Sequence, residues 1–180
     1  MTPGRLNYIV QRYLQSYFTT RSHLKSLLMK RIYRSVQKGE IDEPAGRQMV
    51  EELLDRLEAA GLLNDAAYTD SKVRMLLRRG NSRAQATAKL ATKGISAEKV
   101  QSVLREIREE QGVDPDVQAA ENLARRRKLG PYRDPGKRAV GRDERREQDR
   151  KDLAVLGRAG FSYAVAHKAL QRAAGEEEEE

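Results

Sequence analysis

Cysteine is absent from the 180 residues, which excludes disulfides and thiolate metal sites and fits a reducing compartment. Tryptophan is absent as well, and aromatics make up 5% of the chain. With hydrophobic residues at 38%, there is too little for one thick core but enough for thin helix-on-helix packing. A length of 180 suits one or two ordinary domains or an array of small units, and this composition favours the array. No apolar run approaches the roughly 20 residues that span a bilayer, and the N-terminus has no signal-peptide apolar segment. The expectation is a cytoplasmic chain without a membrane partner.

What the sequence does have is charge. The formal net charge is +8 with a sequence pI near 9.8, although Glu176 to Glu180 form an acidic tail. Without those five glutamates the body carries +13, a balance that points to a polyanionic partner such as nucleic acid or a nucleoprotein surface. The plainer alternative is a soluble basic protein with no such partner.

Apolar spacing supplies the helices. Val100, Val103, Leu104 and Ile107 recur at the interval that makes one stripe, with Ser96 as N-cap and Glu98 in the first turn. Upstream, Thr87, Leu90 and Ala91 form a shorter helix that should end at Gly94. Val50, Leu53, Leu54 and Leu57 predict another that closes at Gly61, after which Asn64 or Asp65 can cap the next. Leu62 and Leu63 are both expected to anchor that junction in a core.

The pattern repeats. "LATKGISAEKVQSVL" from Leu90 aligns without a gap on "LGRAGFSYAVAHKAL" from Leu156, pairing Gly94 with Gly160, Ser96 with Ser162 and Leu104 with Leu170. A fainter copy places Ile41, Asp42, Met49, Val50 and Leu53 on Ile95, Ser96, Val103, Leu104 and Ile107. Each copy is preceded by a further helix, over 8–17, 66–79 and 117–129, the last entered through Asp114 and Pro115. The reading is all-α, an elongated array of tandem three-helix repeats. Its bounds are 1–63, 64–112 and 113–175, with a mobile basic insertion at 130–149 and the tail at 176–180. Acid and base alternate from Arg142 to Lys151, a stretch left open to helix formation.

Catalysis finds little support. His23 and His167 are far apart, and Glu51, Glu52 and Asp55 read as solvated helix faces with no ligand spacing. "GPYRDPGKR" departs from a phosphate-binding loop in glycine spacing, in Arg138 where Ser or Thr is required, and in the helix that precedes it. Neither an enzyme nor a cofactor is expected. A helix-turn-helix at 88–104 is disfavoured, because Glu98, Glu106, Glu109 and Glu110 on its second helix would be repelled by a phosphate-lined groove.

The cations carry more. Arg74 and Arg78 lie one turn apart, as do Lys89 and Lys93, while Arg125, Arg126, Arg127 and Lys128 ring the end of one helix. With Arg79 and Arg83 they form the candidate basic face, able to neutralise phosphates without reading sequence. The structural alternative is a set of cations placed at helix C-termini to meet the dipole, which accounts equally well for Arg78 and Arg79.

The stretch "LEAAGLLNDAAYTDSKVRMLLRRGNSRAQATAKLATKGISAEKV" resembles the RecX family of recombination regulators. Its carriers are Gly61-Leu62-Leu63-Asn64-Asp65 followed by Tyr68, then Gly80 leading to Leu90 and Lys93-Gly94-Ile95, with support from "TTRSHLKSLLMKRI" and "LGRAGFSYAVAHKAL". The resemblance implies an all-helical protein of tandem three-helix units, acting in DNA repair, homologous recombination and the SOS response. It would bind RecA recombinase filaments on single-stranded DNA and limit ATP hydrolysis, strand exchange and filament growth. Double-stranded DNA would be a non-specific second ligand, and the chain would be a monomer. The insertion at 130–149 and the acidic tail depart from the family pattern. The competing reading is a RecA-independent, non-specific DNA-binding helical module, and a third is a protein-interaction scaffold with incidental charge.

Overall fold

The computed structural model describes residues 1–176, with side chains as far as 171; most of the acidic tail lies outside the described residues. Nine α-helices and no strands are found among them: α1 (Pro3–Ser16), α2 (Arg21–Gln37), α3 (Glu43–Ala59), α4 (Asp65–Arg78), α5 (Arg83–Ala91), α6 (Ala97–Gln111), α7 (Pro115–Arg127), α8 (Arg142–Arg158) and α9 (Tyr163–Glu176). The fold is all-α and repetitive. Two 3-10 turns, Gly130–Tyr132 and Pro135–Lys137, join α7 to α8. The alternating acid and base from Arg142 to Lys151, the later part of the expected insertion, does form helix, as the first turns of α8.

Local chemistry sets the boundaries. Thr2, Asp42 and Asp114 cap α1, α3 and α7 through their side-chain oxygens, each followed by a proline in the first turn. Asn64 caps α4, its Oδ1 accepting the Ala67 N–H at 2.9 Å. At the close of α3 the N–H groups of Leu62 and Leu63 both donate to the Leu57 carbonyl. Leu63 is buried, but Leu62 is 60% exposed, so only one of the two expected anchors reaches the core.

The chain forms two compact units. The first comprises Met1–Thr69 with Leu90–Ser96 and is built on Leu6, Val10, Leu24, Leu28, Ile32, Val50 and Leu54. The second comprises Asp70–Lys89 with the chain from Ala97 onward. Among its buried apolar residues are Val73, Leu76, Val100, Leu104, Val117, Leu123, Leu156 and Phe161. Ala119, Ala120 and Ala124 on α7 and Ala166 and Ala169 on α9 are buried, small side chains that let these two helices pack closely.

One joint between neighbouring repeats occurs twice, once in each unit. In the first, the Thr20 hydroxyl accepts the His23 N–H and donates to the Lys93 carbonyl at 2.6 Å, while Asp65 Oδ1 accepts the Arg21 N–H at 2.9 Å. In the second, the Ser82 hydroxyl accepts the Gln85 N–H and donates to the Ala159 carbonyl at 2.9 Å, while Asp116 Oδ1 accepts the Arg83 N–H at 2.7 Å. Each joint satisfies first-turn donors of a repeat's second helix and ties that helix to two elements of the following repeat. Thr20 and Ser82 are both fully buried, so the recurrence is part of the core.

Candidate polyanion-binding surface

The ten cations of the candidate basic face separate into those engaged in holding the fold and those left to solvent. Arg74 belongs to the first group. Its Nε reaches Asp70 at 2.8 Å on its own helix, and its two terminal nitrogens take both Glu110 oxygens at 2.8 and 3.0 Å, clamping α4 to α6. Glu110 and then Asp70 raise the pKa of the Arg74 guanidinium, and the same contact holds the Glu110 carboxyl below its ordinary 4.5.

Arg83 is likewise committed, its Nε pairing with Asp116 at 2.8 Å within the second joint. Lys128 closes α7 in the left-handed region, φ 54°, and its Nζ pairs with Asp134 at 2.9 Å. Lys89 Nζ donates to the Asn81 side chain at 2.5 Å, and the Arg125 guanidinium lies 5.0 Å from the Tyr132 ring centroid. Lys93 is half-buried in the first unit; burial, then the charges of Lys93 and Lys30, hold His23 below its ordinary 6.5. These residues are cationic, but their positions are explained by the packing they serve.

Arg78, Arg79, Arg126 and Arg127 differ: all four are exposed, and none has an ion-pair partner among the described residues. Asn122 on α7 donates to the Leu77 carbonyl on α4 at 3.4 Å. That contact sets Arg78, one residue beyond Leu77, and Arg126, one turn beyond Asn122, around the same point of the second unit. Arg74, Leu77, Arg78, Gln118 and Asn122 line a depression of about 250 Å³ between these helices. Both arginine pairs also sit at helix C-termini, so the dipole and a polyanion would be served together.

The carboxylates read as solvated faces are in part structural. Arg21, at the start of α2, pairs with Glu51, Asp55 and Glu58 of α3 at 2.9, 2.8 and 2.7 Å, and Lys25 also pairs with Glu51. Among the described residues no group of three His, Asp or Glu side chains could hold a metal ion, and no helix is long and apolar enough to cross a membrane.

Two basic features escaped the sequence reading. No acidic residue precedes Glu40, and along that stretch Tyr8, Tyr17, Phe18 and Tyr33 stand exposed among Arg5, Arg12, Lys30, Arg31 and Arg34. A count of acids by segment would have found it. The second is α8, whose arginines and glutamates alternate in sequence but part company on the helix, Arg145, Arg146 and Arg150 lining one side and Glu144 and Glu147 another.

Over 175 residues the sequence is 35% identical to the regulatory protein RecX of Myxococcus xanthus (strain DK1622), covering 94% of this chain and 86% of that protein. The chain belongs to the RecX family. The regulatory protein RecX of Streptomyces coelicolor (strain ATCC BAA-471 / A3(2) / M145) is 28% identical over 152 residues, 84% of this chain and 72% of its own length. Two solved RecX structures share the fold. One has a TM-score of 0.60 at 22% identity, covering 92% of this chain and 70% of its own. The other, RecX from Lactobacillus salivarius, has a TM-score of 0.61 at 20% identity, covering 95% of this chain and 96% of its own. No family model matches the sequence. The chain is thus a regulatory protein of the RecX family.

Proposed function

We propose that this RecX-family chain binds RecA filaments on single-stranded DNA and restrains their ATP hydrolysis, strand exchange and growth. The observation that carries this reading is the set Arg78, Arg79, Arg126 and Arg127, exposed and without ion-pair partners among the described residues. Cations that the fold does not neutralise release counterions from phosphates, giving affinity without sequence selectivity. Repeat units with bounds at 1–63, 64–112 and 113–175 would add several modest contacts along a filament, and linked contacts raise avidity without any one being tight. The chain acts by binding, as a cytoplasmic monomer, without catalysis or cofactor. Arg74, Arg83 and Lys128 support the surface from within the second unit, and Lys89 and Arg125 of the same unit add charge, whereas Lys93 belongs to the first unit.

Titration into preformed RecA filaments on single-stranded DNA tests the reading, with ATP hydrolysis as readout. Inhibition is expected well below the RecA concentration. Joint substitution of Arg78, Arg79, Arg126 and Arg127 by glutamate should weaken it and flatten its salt dependence. Unchanged hydrolysis at concentrations where bare DNA is bound would overturn the reading in favour of a RecA-independent, non-specific DNA-binding module.

A further inference from the structure

In the first unit α2 packs along α3, and between α1 and α2 lies a cleft of about 430 Å³. Buried Val10 and Leu24 form its floor, and the half-buried Tyr13 ring lines a wall. Tyr8 and Arg12 of α1 and Arg31 of α2 stand at the rim, all three exposed. Helical period explains the mixture: Leu24, Leu27 and Arg31 follow one another at three- and four-residue steps, so the apolar row that α2 turns to the cleft ends in a cation.

Among the described residues no carboxylate lines the cleft, and the chain has no acidic residue before Glu40. The acids of α3 are engaged elsewhere in this unit, Glu43 by Arg47, and Glu51, Asp55 and Glu58 by Arg21. Arg12 Nη1 donates to the Tyr8 hydroxyl at 3.5 Å, a neutral acceptor that orients the guanidinium without cancelling its charge. Arg31 has no ion-pair partner among the described residues, and Lys30 and Arg34 extend the exposed charge along α2. Tyr13 in turn stacks on Tyr17, with ring centroids 4.9 Å apart and an interplanar angle of 28°. Tyr17 is 59% exposed, so the stack carries an aromatic surface from the cleft wall out to solvent.

We propose that this cleft binds single-stranded nucleic acid, with a base seated against the Tyr8 and Tyr13 rings and with Arg12 and Arg31 on the neighbouring phosphates. Aromatic faces beside cations that the fold does not neutralise are what an unpaired strand needs: rings on which bases stack and charge along the backbone. A duplex keeps its bases inside and would meet only the arginines. An acidic peptide would satisfy the arginines and leave the Tyr13–Tyr17 stack unused. The proposal rests on the DNA-binding part of the function proposed above and gives the strand a seat on residues of the first unit.

The test uses the full chain without RecA, and fluorescence anisotropy with a labelled oligothymidylate of about 20 nucleotides, longer than the roughly 4–16 one such surface spans. An abasic strand of equal length and the matching duplex are the comparison probes. Tyr8→Ala, at a position 59% exposed, should weaken oligothymidylate binding about 10-fold and leave the abasic strand and the duplex unaffected. Tyr8→Phe keeps the ring and should bind as the wild type does. Arg12→Glu with Arg31→Glu should weaken both strands and lower the salt slope. Irradiation of a strand carrying a photoreactive thymine analogue should crosslink it to Tyr8, Tyr13 or Tyr17, and crosslinks confined to other residues would overturn the proposal. Equal affinity of the wild type for both strands, with no effect of Tyr8→Ala, would overturn it as well. So would displacement of the strand by polyglutamate as readily as by unlabelled strand, which would mark an acidic-peptide site. Failure of filament inhibition with this strand binding intact would defeat the RecA reading and leave the cleft standing; filament inhibition by a chain whose strand binding ignores Tyr8→Ala would do the reverse.

Discussion

Replacing Asp116 by alanine should cost the second unit about 2–3 kcal/mol, taken from the two bonds its carboxylate makes. The side chain is 5% exposed and its oxygens divide the work, Oδ1 accepting the Arg83 N–H at 2.7 Å and Oδ2 pairing with Arg83 Nε at 2.8 Å. The first bond is the larger. The Arg83 N–H is a first-turn donor of α5 with no partner inside the helix, and a hydrogen bond to a charged acceptor is worth about 1.5–3 kcal/mol. The ion pair is discounted, because the Arg83 side chain is 53% exposed and such pairs contribute at most about 1 kcal/mol. At roughly 2–4 °C per kcal/mol for a chain of this size, the calorimetric midpoint should fall by about 5–10 °C. Asp116→Asn keeps an acceptor and loses the charge, so it should fall by less. Arg83→Ala removes only the exposed pair and should cost under about 1 kcal/mol. A midpoint for Asp116→Ala within about 1 °C of wild type would refute the claim that this joint holds α5 to α7.

The same geometry sets further expected outcomes. Gly80→Ala should cost about 2–5 kcal/mol in urea unfolding, since Gly80 has φ +73° and a Cβ there would lie 2.8 Å from Leu123 Cβ and 2.9 Å from its backbone. Gly61→Ala, at φ +70° in open space, should cost only the roughly 1–2 kcal/mol of the left-handed backbone. Arg74→Glu should lower the melting temperature more than Arg78→Glu, because it leaves Asp70 and Glu110 facing a third carboxylate. The Glu110 carboxyl titrates below its ordinary 4.5, so this pair stabilises fully above pH 4.5 and is lost as pH falls through the lower value; the gap between wild type and Arg74→Ala should narrow there. His23 titrates below 6.5, so acidification from pH 6.5 toward that lower value protonates the unfolded chain first and destabilises the fold; His23→Gln should flatten this part of the stability profile.

Elements whose signals are local were legible. The stripes of α3 and α6, the caps at Asp42, Asn64 and Asp114 and the close of α3 around Gly61 depend on neighbours within a turn or two; the helices expected over 66–79 and 117–129 match α4 and α7 closely, whereas α1 begins at Pro3, well before the expected start at Tyr8. Leu62 misled because adjacent residues past a helix end face different ways, and only Leu63 turns inward. Glu51 and Asp55 read as solvent-facing because their partner, Arg21, stands at the head of another helix. The arginines of α8 were hidden by counting charge along the chain, where acid cancels base, although the helix sorts them by face.

By itself the sequence determined that the chain is helical, repetitive and basic, because helical period, caps and composition are written in short spans and survive without knowledge of the fold. Only the tertiary structure decided which cations are free. Arg74 is claimed by Glu110 and Arg83 by Asp116, whereas Arg78, Arg79, Arg126 and Arg127 find no counterion among the described residues. Those pairings join residues more than thirty positions apart, at distances that packing alone creates. Thr20 and Ser82 make the same point, for a hydroxyl's sequence context announces a cap, but the carbonyl it binds in the next repeat belongs to the folded chain.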